Sequence, residues 1–321
     1  MKMLVTGGLG FIGSNFIRKL LTETEYDIVN LDKITYAANP ESLADIEENT
    51  KYIFVKGDIG DKNLVRDLMK DIDVVVNFAA ESHVDRSLQD YSPFIETNIN
   101  GTVNLLQEAN EANVKKFVHI STDEVYGQTM DGTFTEEDKL HPRNPYSASK
   151  AGAEMFVSAF NETYGLPTII TRSSNNYGPY QFPEKMMPVF VTNLIEGKKV
   201  PLYGEGLQIR EWTYVEDNCD GLLVAIEKGK TGDVYNVSAG NELPNVEMTH
   251  KILEKMGVGE DMIQKVEDRR GHDFRYSIDS SKIRNLGWEP KHTLDEGMDI
   301  TIKWYKENKL WWEPLKRKLG K

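Results

Sequence analysis

A chain of 321 residues with 51 acidic against 38 basic side chains and a formal net charge of -13 is long enough for a large α/β domain with a smaller companion. That charge opposes non-specific binding to nucleic acid or to anionic lipid. The single cysteine, Cys219, excludes an internal disulfide, no zinc-like Cys/His spacing is present, and a reducing compartment with no structural metal is expected. Strand-like sequence from Lys2 onward leaves no room for a signal peptide. No apolar run approaches the ~20 residues of a membrane span, so a soluble cytoplasmic protein without nucleic-acid or membrane partners is expected.

In chain order, "KMLVTGG" reads as a short buried strand closed by glycines, and "FIGSNFIRKLLTE" follows with Phe11, Ile12, Phe16, Ile17, Leu20 and Leu21 at helical spacing. The turn between them carries Gly7, Gly10 and Gly13, which let a backbone approach a pyrophosphate seated on the helix N-terminus. "YDIVNLD", "YIFVKGD", "DVVVNFAA" and "KFVHIS" repeat the buried-strand pattern, separated by helical stretches such as "NLVRDLMKD" and "GTVNLLQEANEA". This βαβ order predicts an α/β fold with a Rossmann-like, doubly wound parallel sheet. Asp32 ends the second strand ~20 residues after the glycines, where a carboxylate can accept hydrogen bonds from an adenosine ribose and repel a 2′-phosphate, favouring NAD over NADP. Asp58 ends the third strand, placed to meet the adenine.

The fifth strand runs into "STDEVYG", where the plain reading is a polar turn. Further on, "NPYSASK" puts Tyr146 and Lys150 four apart at a helix start, hence on one face. An ammonium beside a phenol lowers its pKa from ~10 and makes it a base usable near neutrality. After Tyr177 the alternation breaks into Pro- and Gly-rich stretches, then "DVYNVS" reads as one more strand returning to the main sheet. The expected division is residues 1–175 plus about 213–238 for the dinucleotide domain, and about 176–212 plus 239–321 for a smaller α+β substrate lobe. In the aromatic tail, core packing is expected for Trp304 and a covering role over a surface patch for Trp311 and Trp312.

Taken together, Gly7, Gly10, Gly13, Asp32, Asp58, Tyr146 and Lys150 resemble an extended short-chain dehydrogenase/reductase acting on nucleotide sugars, over almost the full chain. The resemblance implies that Thr122 assists Tyr146, that NAD is held also by Phe11, Ile12, Lys33, Thr35, Ile59, Ala79, Ala80, Ser82, Thr97, Asn176, Tyr146 and Lys150, and that the subunits pair as homodimers through two helices of the NAD domain. Redox chemistry alone does not call for Asp123 and Glu124. An elimination of water does, because one carboxyl group must take a proton α to a ketone and another must protonate the departing hydroxyl.

Thr122-Asp123-Glu124 resembles the triplet of dTDP-glucose 4,6-dehydratases, whereas GDP-mannose dehydratases and UDP-glucuronate decarboxylases usually show Ser-Glu there. The segments "AAESHVDRS", "NNYGPYQFPEKMMP", "GEGLQIREWTYVEDN" and "DRRGHDFRYSID" resemble the same enzymes. They imply dTDP-glucose as substrate, with contacts from Ser82, Thr122, Asn175, Lys185, Arg210, Asn245, Arg269 and His272, and with Arg210 on the pyrophosphate. Asp85 and Arg86 are expected in a structural network instead. Arg270 departs from the family, which usually has proline there, and is expected to face solvent. Another nucleotide-sugar 4,6-dehydratase, an epimerase or a decarboxylase on the same fold remains the alternative, and a non-catalytic dinucleotide sensor a more distant one; the acidic pair argues against epimerase and decarboxylase, the intact triad against the sensor.

Overall fold

Strand and helix alternate through the first half of the chain as the apolar pattern predicts. The computed structural model describes residues 1–268 and 273–319. Its first six strands are β1 (Lys2–Thr6), β2 (Asp27–Asp32), β3 (Tyr52–Lys56), β4 (Val74–Asn77), β5 (Lys116–Thr122) and β6 (Thr168–Ser173). The chain then leaves this layer for β7 (Asn175–Tyr177), β8 (Val200–Tyr203) and β9 (Ile209–Tyr214), and returns with β10 (Val234–Val237), which pairs parallel with β6. The seven-stranded sheet has the order β10-β6-β5-β4-β1-β2-β3, with every neighbouring pair parallel. Strand order reverses between β1 and β4, and the connections leaving their carboxyl ends diverge there to open a crevice.

β1, β4 and the middle of β5 are buried because helices cover both faces of the sheet. β3 departs from the buried-strand expectation. It is the last strand of the sheet and buries only Tyr52, with Ile53 and Phe54 exposed, since no further strand covers its outer edge. The helix Pro145–Tyr164 starts where its sequence dictates: Asn144 caps it in a reciprocal box with Ser147, and Pro145 occupies the first turn, where its missing N–H costs nothing. Gly165, in the left-handed region at φ +73°, ends it.

The smaller lobe is built on two sheets. β7 runs parallel and β11 (Asn241–Pro244) antiparallel to β9, while β8 pairs parallel with β12 (Ile263–Val266). The helices Met186–Ile195, Asn245–Met256 and Leu294–Glu307 pack around them. Trp312 departs from its expected place at the surface: it is fully buried, and its indole N–H donates to the Tyr305 carbonyl at 2.8 Å. Trp304 and Trp311 instead form a half-buried aromatic cluster with Tyr180, over which the Arg18 guanidinium sits at 4.6 Å. This cluster fastens the C-terminal helices to the first helix of the sheet domain. No helix among the described residues is long and apolar enough to cross a membrane.

Candidate active site

The carboxyl ends of the central strands open into a cleft of about 510 Å³ between the sheet and the smaller lobe. On its β1 side the glycines act through close backbone approach. Gly7 adopts φ +70°, and a Cβ there would lie 2.7 Å from the Ala79 nitrogen; one on Gly13 would lie 2.5 Å from the Gly7 carbonyl oxygen. Gly10 caps the helix Phe11–Glu23 without any side-chain bond, and no acidic residue stands in the first turn, which leaves the helix N-terminus suited to a phosphate. Asp32 is buried, and burial holds its carboxyl above the usual range while two backbone N–H bonds work the other way. Those donors are Leu9 at 3.0 Å and Ile34 at 2.8 Å, one on each oxygen, and each oxygen has capacity for another. Asp58 stands at the rim, paired with Lys33 at 2.7 Å. Phe11, Ile12, Thr35, Ile59, Ala79, Ala80 and Thr97 line the same side. A glycine cradle, an open helix end and a buried carboxylate fit the pyrophosphate and ribose of NAD.

Deeper in, Thr122 ends β5 and faces Tyr146 and Lys150 on the helix Pro145–Tyr164. Tyr146 is held well above the ordinary phenol range, first by burial and then by the charge of Glu124; a bond to the Thr122 hydroxyl works in the opposite sense. The resting side chain is therefore a phenol. Lys150 is buried, and burial pulls it down to about 8, opposed by Glu154 on the same helix. It is thus a cation below about pH 8 and neutral above. Its Nζ donates to the Ile120 carbonyl at 2.6 Å and lies 3.5 Å from His119 Nε2. His119 in turn meets the Asn77 amide at 3.3 Å, and Asn77 accepts from the Thr6 hydroxyl at 2.6 Å. Burial and the Lys150 charge keep His119 neutral, so lysine carries the positive charge of this pocket.

The acidic pair is not a solvated turn. Asp123 is 3% exposed, and its carboxyl is pushed well above the usual range by burial, then by Glu124 and Glu211, against the Thr122 hydroxyl bond and Arg210. Burial and these two neighbouring charges thus disfavour the ionised form of Asp123. Its Oδ2 is buried without a hydrogen-bond partner among the described residues, as are Oδ1 of Asn175, Asn176 and Asn245, and all four residues line the cleft. Orphaned polar atoms converging on one cavity mark the surface a polar ligand completes.

On the lobe side, Lys185 donates to the Ser82 carbonyl at 3.1 Å. The Arg210 guanidinium is buried over the Tyr276 ring at 4.5 Å and donates to the carbonyls of Ile209 and Asp273 at 2.7 and 2.8 Å. Much of its donor capacity thus orders the backbone around the cleft. Arg86 lies 3.7 Å over the Tyr36 ring, consistent with a structural role. Arg269, Arg270 and His272 lie outside the described residues. Every other residue expected at the site lines the same cleft.

Sequence reasoning missed His119, Asn77, Tyr276 and Asn98. Asn98 lies in a π-helical stretch, Ile95–Gly101, and its amide bonds both the N–H and the carbonyl of Glu81, then Ser149 Oγ on the helix Pro145–Tyr164 at 2.8 Å. The only sequence signal for His119 is a histidine inside an otherwise apolar strand; nothing local marks the others.

Comparison with known proteins agrees with this geometry. A family model described as GDP-mannose 4,6 dehydratase matches residues 4–301. The low-salt glycan biosynthesis protein Agl12 of Haloferax volcanii is 52% identical over 95% of this chain and 98% of its own. A dTDP-glucose 4,6-dehydratase of Streptomyces niveus is 46% identical, covering 98% and 96% of the two chains. Among solved structures, DesIV, a dTDP-glucose 4,6-dehydratase from Streptomyces venezuelae crystallised with NAD and TYD bound, superposes with a TM-score of 0.96 at 47% identity, covering 98% of this chain and all of that one.

Proposed function

The chain belongs to the family whose model is described as GDP-mannose 4,6 dehydratase, and within it we propose that this protein is an NAD-dependent dTDP-glucose 4,6-dehydratase, converting dTDP-glucose to dTDP-4-keto-6-deoxyglucose. The observation that carries this reading is the buried Asp123, its ionised form disfavoured, beside Glu124 and set at the strand end that also presents Thr122 to Tyr146. An epimerase needs hydride transfer and the one proton carrier that serves the hydroxyl, and a further pair of carboxyl groups has no task in it. The dTDP-glucose 4,6-dehydratases of similar sequence and structure support the choice of substrate.

In the proposed cycle Tyr146 gives up its resting proton to act as the phenolate, a form favoured by the bond to Thr122 and by a cationic Lys150 one helical turn away, and then takes the proton of the sugar C4 hydroxyl. Bound NAD supplies the hydride acceptor for C4 and the hydride donor for C6. With C4 a ketone the C5 proton is acidified, and Glu124 removes it. Asp123 gives its proton to the C6 hydroxyl, which leaves as water; Glu124 returns its proton to C5 as C6 takes the hydride, and the proton taken by Tyr146 restores Asp123. No net oxidation results, and the loss of one water is the whole change in composition. Asp32 and the glycine turn hold the dinucleotide in this reading, while Ser82, Asn175, Lys185, Arg210 and Asn245 meet the nucleotide sugar between residues 1–175 plus about 213–238 and the lobe formed by the remainder.

Incubation with dTDP-glucose, UDP-glucose, CDP-glucose and GDP-mannose, with product mass as readout, tests the reading. Loss of water from dTDP-glucose in preference to the other three is expected; no dehydration of any would overturn it. A homodimer is part of the same proposal. Leu88, Tyr91 and Ile95 are exposed beside the exposed Met155 and Phe156 of the catalytic helix, on helical segments that pack together, and a second copy would cover them. Light scattering is expected to give twice the chain mass, and a single-chain mass would contradict the pairing.

A further inference from the structure

The turn Asp123–Tyr126 fixes the backbone of Glu124 through its own bonds. Thr122 Oγ1 accepts from the Glu124 N–H at 3.3 Å, and the Gly127 N–H donates to the Glu124 carbonyl at 3.1 Å. The carboxylate, by contrast, is met from another element. Asn144 Oδ1 accepts the Ser147 N–H at 2.9 Å in capping the catalytic helix. A backbone N–H can only donate, so the atom facing Ser147 must be the amide oxygen, which turns the amide nitrogen the other way. There it donates to Glu124 Oε2 at 3.3 Å. The segment bearing Asn144 is itself fastened to the turn: the His141 N–H donates to the Val125 carbonyl at 3.0 Å, and Arg143 pairs with Asp273 at 2.7 Å.

We propose that Asn144 is a positioning residue for Glu124, one amide both starting the helix that carries Tyr146 and Lys150 and aiming the carboxylate that takes the C5 proton. The inference rests on the reading of Glu124 as that base. The titratable groups facing Glu124 include Asp123 on its own turn, Tyr146 on the catalytic helix and Tyr276 after Asp273, with Arg210 of β9 set against Asp123. Each of the first three is disfavoured in its own ionised form by a charged Glu124. The neutral Asn144 amide works the other way, since an N–H donor stabilises the carboxylate and leaves it able to accept a proton. Cap and base are thereby coupled: the geometry that begins the helix also sets where the base points relative to the phenol of Tyr146, two residues on.

Asn144→Ser separates the two roles. Serine caps helices about as well as asparagine but is too short to reach Glu124. The melting temperature should stay at the wild-type value. The elimination step should slow by roughly ten- to a hundredfold, the size of one hydrogen bond to a charged group, with the C4 oxidation retained. The acid limb of its pH profile should move to higher pH, because the base loses a donor that favours its ionised form. Asn144→Asp keeps the cap and sets a second carboxylate opposite Glu124, and should move that limb further. An elimination rate and acid limb in Asn144→Ser equal to wild type would overturn the proposal, as would a lowered melting temperature with both steps impaired alike, which is the signature of a cap alone. Glu124→Gln in the same assay keeps the two claims apart. If it stalls elimination while Asn144→Ser does not, only the positioning role falls; if it does not stall, the assignment of Glu124 as base falls first.

Discussion

Tyr146→Phe is expected to lower turnover by roughly 10²- to 10⁴-fold while leaving the fold intact, the range for removal of a positioned proton-transfer group. The ring would keep its place. It packs edge-on against Phe94 at 6.3 Å in a buried position, and phenylalanine preserves that contact. What disappears is the one hydroxyl that lies between Thr122 and the electrostatic reach of Glu124 and Asp123. Since burial and the charge of Glu124 hold the phenol protonated at rest, forming the phenolate depends on the bond to Thr122 and on Lys150 being a cation one helical turn away, a charge that the neutral His119 does not replace. The variant should therefore fail at the first step and form little reduced nicotinamide, as stopped-flow absorbance would show. Wild-type turnover, or normal reduction with a later stall, would remove Tyr146 from the role of C4 base.

Much of the dinucleotide half was legible because its signals are local. Parallel strands buried on both faces read as continuous apolar runs, the glycine turn sits between a strand and a helix, and Tyr146 and Lys150 lie one helical turn apart. β10 was legible for the same reason. The strands β7, β8, β11 and β12 were not, being three or four residues long and partly polar, with their existence owed to partners far along the chain. β3 was misjudged as buried because an apolar run does not reveal that its strand lies at a sheet edge. Trp312 was expected to cover a surface patch, whereas it is fully buried. At the site, residue types identified Asp123 and Glu124 as candidates for acid and base, but their assignment needs depth: the ionised form of Asp123 is disfavoured because the fold sets it out of water against Glu124 and Glu211. Links that cross between elements, such as Asn98 to Glu81 and Ser149, have no signature in local pattern at all.

The acidic pair carries the claim that this chemistry is dehydration. In Asp123→Asn the acid for the C6 hydroxyl is lost, and in Glu124→Gln the base for C5, yet neither group is needed to oxidise C4. Both variants should form reduced nicotinamide from dTDP-glucose and then stall, with elimination slowed by roughly 10²-fold or more. Their failure differs in kind from that of Tyr146→Phe, which should scarcely begin. Rapid mixing of each variant with dTDP-glucose, following nicotinamide absorbance and dTDP-4-keto-6-deoxyglucose formation together, is the most direct measurement. The account predicts a long-lived reduced signal with slow product in both carboxyl variants and a brief one in the wild type. Dehydration at the wild-type rate in both would contradict it, leaving Asp123 and Glu124 as no more than the polar end of a strand.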